Sequence, residues 1–303
     1  MKLLIGYDGS ECADAALNDL QRAGLPGVVE ARILTVAEVW LPPAAAPGSE
    51  TKLPSEPIYA KAREALVHAE TLAERARQQL IELFPQWQIM AEAAAGSPAW
   101  ELVFRADSWK PDLVVVGSYG RTALGRFVLG SVSQSVLTEA KTSVRIARGQ
   151  KDLSEAPIKI VLGIDGSRGS DLALNQVSKR EWPAGSEVHV VIVDDPLVPP
   201  FITDLLSPIS DTIDEVTRAD RSWAEGVLAK AAESLESSTL KVTTELREGD
   251  PKRELPGLAE NLGADCIFVG SQGFSNRLER FVLGSVSSAV AARAQCSVEV
   301  VRG

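Results

Sequence analysis

The amino-acid sequence predicts two tandem α/β domains, each a five-stranded parallel sheet wound on both faces by helices. Three observations predict it. Short β-branched runs such as Val114-Val115-Val116 stand between helical stretches, as strands buried on both faces do. These runs alternate with amphipathic segments, which implies parallel strands joined by right-handed crossovers. The pattern also occurs twice. Gly6-Tyr7-Asp8-Gly9-Ser10 is echoed by Gly163-Ile164-Asp165-Gly166-Ser167, and Phe127-Val128-Leu129-Gly130-Ser131-Val132-Ser133 recurs unchanged over 281–287. Gly96-Ser97-Pro98 matches Gly249-Asp250-Pro251, and the copies close alike on Arg148-Gly149 and Arg302-Gly303. A period near half of the 303 residues is too long for a solenoid and marks a duplicated domain. The expected division is 1–149, a polar linker over 150–157, and 158–303.

In the first copy, 2–7 reads as a strand ending at Asp8-Gly9-Ser10. Ser10 can cap a helix over 11–23 whose Ala13, Ala16, Leu17 and Leu20 share one face. Gly24 and Pro26-Gly27 stop it, and a second strand spans 28–36. The segment 37–57 carries Pro42, Pro43, Pro47, Pro54 and Pro57, so it can hold little regular structure and is expected to be a mobile loop near the mouth of the site. A long helix over 58–83 follows, with Leu66, Ala69, Leu72, Ala73, Ala76 and Leu80 as its buried stripe. Strand three covers 88–95, and Ser97-Pro98 opens a helix as N-cap and first residue. Strand four ends at Gly117, Ser131 is expected to cap a helix over 132–140, and 143–147 is the fifth strand.

The second copy places strands at 159–164, 187–193, 240–246, 265–270 and 297–301. Its long helix, over 209–235, holds Trp223, Val227, Leu228 and Ala231. Both fifth strands alternate polar and apolar residues in the manner of edge strands.

Composition narrows the function. Cys12, Cys266 and Cys296 lack metal-like spacing and read as reduced thiols in a cytoplasmic protein. The formal net charge of −10 speaks against general nucleic-acid or anionic-membrane binding. No apolar run is long enough to span a membrane, and the opening MKLLIGYDGS reads as a strand rather than a signal peptide. His68 lies mid-helix and His189 mid-strand, away from any strand's carboxyl end, so both are expected in surface or packing roles.

The chemistry concentrates after strand four. A buried strand, a glycine-rich loop with Arg121 and Arg126, and a helix N-terminus together make an anion cradle: backbone N–H groups are exposed and the helix dipole favours negative charge. It is not a P-loop, since no lysine lies between Lys110 and Lys141, and its glycines are too widely spread for a dinucleotide fingerprint. Gly117, two residues, Gly120, nine residues, then Gly130-Ser131 is a spacing that resembles the ATP-binding signature of the universal stress protein family. With the duplication, the resemblance spans nearly the whole chain.

The resemblance implies a strand order of 3-2-1-4-5 and an ATP site where strands one and four end. It implies that Asp8 lies beside the nucleoside and that the backbone of Val36 meets the adenine. Gly117, Gly120, Arg121, Gly130, Ser131, Val132 and Ser133 would surround the phosphates, with Mg²⁺ held through the phosphates themselves. Asp165, Val193, Gly270, Gly273, Gly284 and Ser285 are the second-copy counterparts. An aspartate that merely closes a turn, or any buried valine, would look the same from sequence, and loop arginines are commonly just solvated. Family dimers pair through their fifth strands, which implies an intramolecular pairing with a pseudo-two-fold here, with a homodimer as a further step.

The two copies differ at the loop. Nine residues separate Gly120 from Gly130, but ten separate Gly273 from Gly284, and Glu279 stands where Gly125 does. Residues 1–150 carry 15 Lys/Arg against 17 Asp/Glu, and the remainder 16 against 24. Like-charge repulsion therefore disfavours a nucleotide in the second copy. The expected function is an ATP-binding stress or regulatory protein, with nucleotide mainly in the first domain. The alternatives are an interaction scaffold without nucleotide and, third, a slow ATPase or phosphoryl-transfer enzyme. No general base stands near the loop to drive efficient hydrolysis.

Overall fold

The structure, a computed structural model, describes residues 1–39, 56–119, 129–149, 157–195, 210–236, 239–273 and 283–303; over 56–58 and 210–218 it describes the backbone alone. The chain divides into two compact units, Met1–Gln21 with Pro26–Lys151, and Arg22–Leu25 with Asp152–Gly303.

The first unit runs β1 (Lys2–Gly6), α1 (Glu11–Asp19), β2 (Glu30–Ala37), α2 (Glu56–Leu83), β3 (Gln88–Ala95), α3 (Pro98–Trp109), β4 (Leu113–Gly117), α4 (Ser131–Glu139) and β5 (Ser143–Ala147). Its strands are parallel and lie in the order β3-β2-β1-β4-β5. Leu3, Leu4 and Ile5 of β1 and Leu113, Val114 and Val115 of β4 are fully buried, because helices cover both faces of these central strands. The order turns back between β1 and β4, so their carboxyl ends diverge into a crevice.

Small residues set the helix packing. The buried face of α2 is Ala62, Ala69, Ala73, Ala76 and Leu80, which lets the helix lie close to the sheet. Ser10 caps α1 as expected, its Oγ accepting from the Ala13 N–H at 3.2 Å. The helix expected over 11–23 is α-helical only to Asp19 and then tightens into a 3₁₀ turn, Leu20–Arg22, before Gly24 at φ +62° ends it. Strand two starts at Glu30 and runs on through Ala37, while α2 begins at Glu56 with Pro57 in its first turn. Residues 40–55 of the proline-rich segment, and 150–156 of the linker, lie outside the described residues.

The second unit repeats the plan: β6 (Lys159–Gly163), α5 (Arg168–Ser178), β7 (Glu187–Asp194), α6 (Ser210–Leu235), β8 (Lys241–Glu248), α7 (Pro251–Leu262), β9 (Cys266–Gly270), α8 (Ser285–Arg293) and β10 (Ser297–Val301). Its parallel order is β8-β7-β6-β9-β10. The core includes Trp182 edge-on to Phe268 with centroids 6.1 Å apart, and the indole N–H donates to the Val177 carbonyl at 2.8 Å.

The fifth strands β5 and β10 are buried along their whole length. Their charged residues each pair with a side chain of the same unit. Arg145 donates to Asp19 of α1 at 2.7 Å, and Glu299 accepts from Arg180, just beyond α5. A buried charge persists only with such a partner.

Candidate functional site

Three strand ends and one helix start build a cavity of ≈ 590 Å³ in the first unit. Asp8 follows β1, and its Oδ1 accepts the Ser10 N–H at 3.0 Å, which fixes the carboxylate while it lines the cavity. The turn role and the site position fall on one residue. Val36 and Ala37 close β2 at the same wall. Gly117 ends β4 where a Cβ would lie 3.1 Å from the Cys12 carbonyl oxygen, so glycine is what lets β4 pass the first turn of α1.

The N-terminus of α4 completes the cavity through Gly130, Ser131, Val132 and Ser133. Here the expectation that Ser131 caps the helix is corrected. The N-cap is Gly130, no side chain caps the helix, and Ser131 is its first residue. Ser133, one turn in, instead donates its hydroxyl to the Gly117 carbonyl at 2.6 Å, while Gly130 N–H bonds Ser118 O at 2.8 Å. These two bonds lash the helix start to the end of β4. The first-turn N–H groups, which no side chain caps, are the donors a helix leaves for an anion.

The site therefore gathers Asp8, Val36, Gly117, Gly130, Ser131, Val132 and Ser133, all named from sequence. Gly120 and Arg121, with Gly125 and Arg126, lie outside the described residues. Several lining residues escaped the sequence reading, among them Thr35, Glu38, Tyr119, His68 and Tyr7. His68 is exposed, as expected of a surface residue, and also lines the cavity from α2 beside Ala65, Ala69 and Leu72. His189 is elsewhere, with Nε2 at 3.8 Å from Glu187. Tyr7 also lines the cavity; its hydroxyl donates to Asp14 at 2.6 Å, and Asp14 in turn accepts from Arg75 of α2 at 2.9 Å. Burial, and then the Asp14 carboxylate, push the phenol well above the ordinary tyrosine range, so it stays neutral.

The second unit holds a cavity of ≈ 690 Å³ at the equivalent place, lined by Asp165, Val193, Gly270, Gly273, Gly284 and Ser285. The helix start is built alike: Gly284 is the uncapped N-cap of α8, and Ser287 donates to the Gly270 carbonyl at 2.8 Å. Sequence reasoning missed Asp194, Asp195, Asp220 and Trp223, which also line it. Trp223 of α6 is 48% exposed. Burial, then the carboxylates of Asp220, Glu248 and Asp195, push the Asp194 carboxyl above its ordinary range. Among the described residues no group of His, Cys, Asp or Glu is arranged to hold a metal ion, and no helix is long and apolar enough to cross a membrane.

A model of the universal stress protein family matches residues 1–148 and again 158–302. The chain belongs to the universal stress protein family. A universal stress protein of Mycolicibacterium smegmatis is 30% identical over 306 residues, covering 99% of this chain and 96% of that one. A universal stress protein of Methanocaldococcus jannaschii is 33% identical over 144 residues, 48% of this chain and 81% of its own, as a single repeat would be. The crystal structure of a universal stress protein from Archaeoglobus fulgidus superposes with a TM-score of 0.62 at 20% identity, covering 99% of this chain and 96% of that one. The tandem arrangement of two universal stress protein repeats is thus shared along the full length of the chain.

Proposed function

We propose that this universal stress protein binds ATP in its first unit and acts in stress response or regulation through that occupancy. One observation carries the reading. Seven residues that the family resemblance assigns to a nucleotide, spread from Asp8 to Ser133, line one cavity whose volume suits a small ligand. The chemistry of that cavity supports a phosphate chain at the uncapped start of α4, with Gly117 permitting close approach of the backbone. The apolar walls from Leu34, Val36 and Leu72 suit a base, and the Asp8 carboxylate suits ribose hydroxyls. Mg²⁺ would be carried mainly by the phosphates, and one role for it is to lower their charge beside Asp8 and Glu38.

Mass spectrometry of nucleotide released from denatured protein, with calorimetry on the full chain, tests this. ATP at one equivalent supports it, whereas protein that is empty and fails to take up Mg-ATP supports the scaffold reading instead. Ser131→Asp sharpens the test. A carboxylate in the first turn of α4 favours the helix by a few tenths of a kcal/mol through the dipole, yet repels phosphate. ATP affinity should fall at least tenfold while the urea midpoint stays level or rises. Unchanged affinity would place the phosphates elsewhere.

A further inference from the structure

A buried hydroxyl without a partner costs stability, so it marks a place where another molecule can complete it. Among the described residues two buried hydroxyls lack a hydrogen-bond partner, Thr35 Oγ1 and Tyr119 Oη, and both residues line the first cavity. Thr35 is 2% exposed and precedes Val36 on β2. Side chains alternate along a strand, and the Arg32 guanidinium lies 4.3 Å from the Trp109 ring of α3. Thr35 therefore stands on the opposite face, which α2 covers. The α2 residues at the same cavity include Ala65, Ala69 and Leu72, and none of these side chains offers the hydroxyl a bond.

Packing does not demand a hydroxyl at this place. β2 and β7 are both eight residues long and begin with glutamate, so Ile192 occupies in the second unit the position that Thr35 occupies in the first. Ile192 is buried in the core of its unit and lines the cavity there. An apolar branched side chain thus fills the wall without polar cost, whereas threonine leaves a donor and an acceptor unused.

The strand order says which part of a ligand would use them. Neighbouring strands lie about 4.8 Å apart, so β2, separated from β4 by β1, stands about 10 Å from it. A ligand whose phosphates occupy the start of α4, tied to the end of β4, brings its far end to β2.

We infer that Thr35 is a specificity-determining residue of the first cavity, its hydroxyl bonding the polar edge of the base. The inference rests on the nucleotide reading of this cavity and adds to it a side chain by which the base is chosen. A hydroxyl that can donate and accept favours a base with a polar edge over an apolar ring of the same shape, which would leave it unpaired.

Calorimetry on the full chain tests this with two probes, ATP and the triphosphate of benzimidazole riboside. The analogue keeps the fused-ring shape and lacks the polar groups of the six-membered ring. Thr35→Val exchanges the hydroxyl for a methyl group. ATP affinity should fall at least fivefold while that of the analogue holds or rises, so the preference for ATP shrinks at least fivefold. The urea midpoint of ligand-free Thr35→Val should stay level or rise, because the wall loses an unpaired polar group. Thr35→Ser, which keeps the hydroxyl, should bind ATP within twofold of the wild type. Unchanged ATP affinity in Thr35→Val, an equal loss for the analogue, or a fall in ligand-free stability would overturn the inference. So would Thr35→Ser binding as weakly as Thr35→Val. Wild-type protein that takes up no ATP would strike the nucleotide reading itself, and the inference with it.

Discussion

Asp8 illustrates why single residues were the hardest scale to read. Its sequence position allowed a turn role or a site role, and the fold shows the turn bond from the Ser10 N–H on a residue that also lines the cavity. Tyr7 and His68 carried no such mark: whether a tyrosine at a strand end or a histidine on a helix faces a cavity depends on which helix crosses which strand. The Tyr7 hydroxyl is open to a direct test. Its bond to a charged acceptor is worth about 1.5–3 kcal/mol, so Tyr7→Phe should lower urea stability by that amount at pH 7. The folded phenol titrates above the unfolded value near 10, so this contribution is complete below that pH and is lost as pH rises past it, when the unfolded chain ionises. Stability of the wild type should therefore decline between pH 9 and 11 more steeply than that of the variant. Parallel declines would show that the bond does not form.

Elements were more legible. Central strands buried on both faces leave uninterrupted apolar runs, and β3, β5 and β10 fall at the expected bounds. Helix ends were less so, since hydrophobic periodicity does not distinguish an α-turn from the 3₁₀ turn at Leu20–Arg22, nor a serine that caps from one that follows the cap. The strand-end glycines show how closely these elements meet. A methyl on Gly117 would sit 3.1 Å from backbone of α1, whereas one on Gly270 would sit 2.4 Å from backbone of Gly169. Gly117→Ala should cost about 1–2 kcal/mol and Gly270→Ala about 3 or more, as overpacking against main chain that cannot swing aside. Thermal or urea unfolding of the two variants gives the ranking, and the reverse order would refute this packing.

At the level of the whole chain, duplication was plain in the sequence because identical heptads stand in both halves. The divergence of the two cavities was only partly so. Glu279 and the uneven charge pointed to it, but Asp194, Asp220 and Trp223 come from segments far apart in the chain and converge only through the fold. Ligand linkage measures the outcome. With Mg-ATP at a hundredfold excess over its Kd, amide exchange in β1, β4 and α4 should slow by the equivalent of about 2.7 kcal/mol where it proceeds through unfolding of the first unit. Exchange in β6, β9 and α8 should stay unchanged, and equal protection of both sets would refute the asymmetry.

Arg145 and Glu299 hold the same place in the fifth strands of their units with opposite sign, each answered by a counter-charge from its own half, Asp19 or Arg180. Tandem near-copies in one gene invite unequal crossing-over that would fuse them into a single repeat. A crossover between the first helix and the last strand would leave the shortened product with Glu299 in the place of Arg145, beside Asp19, so two like charges would meet in its interior at a cost in stability.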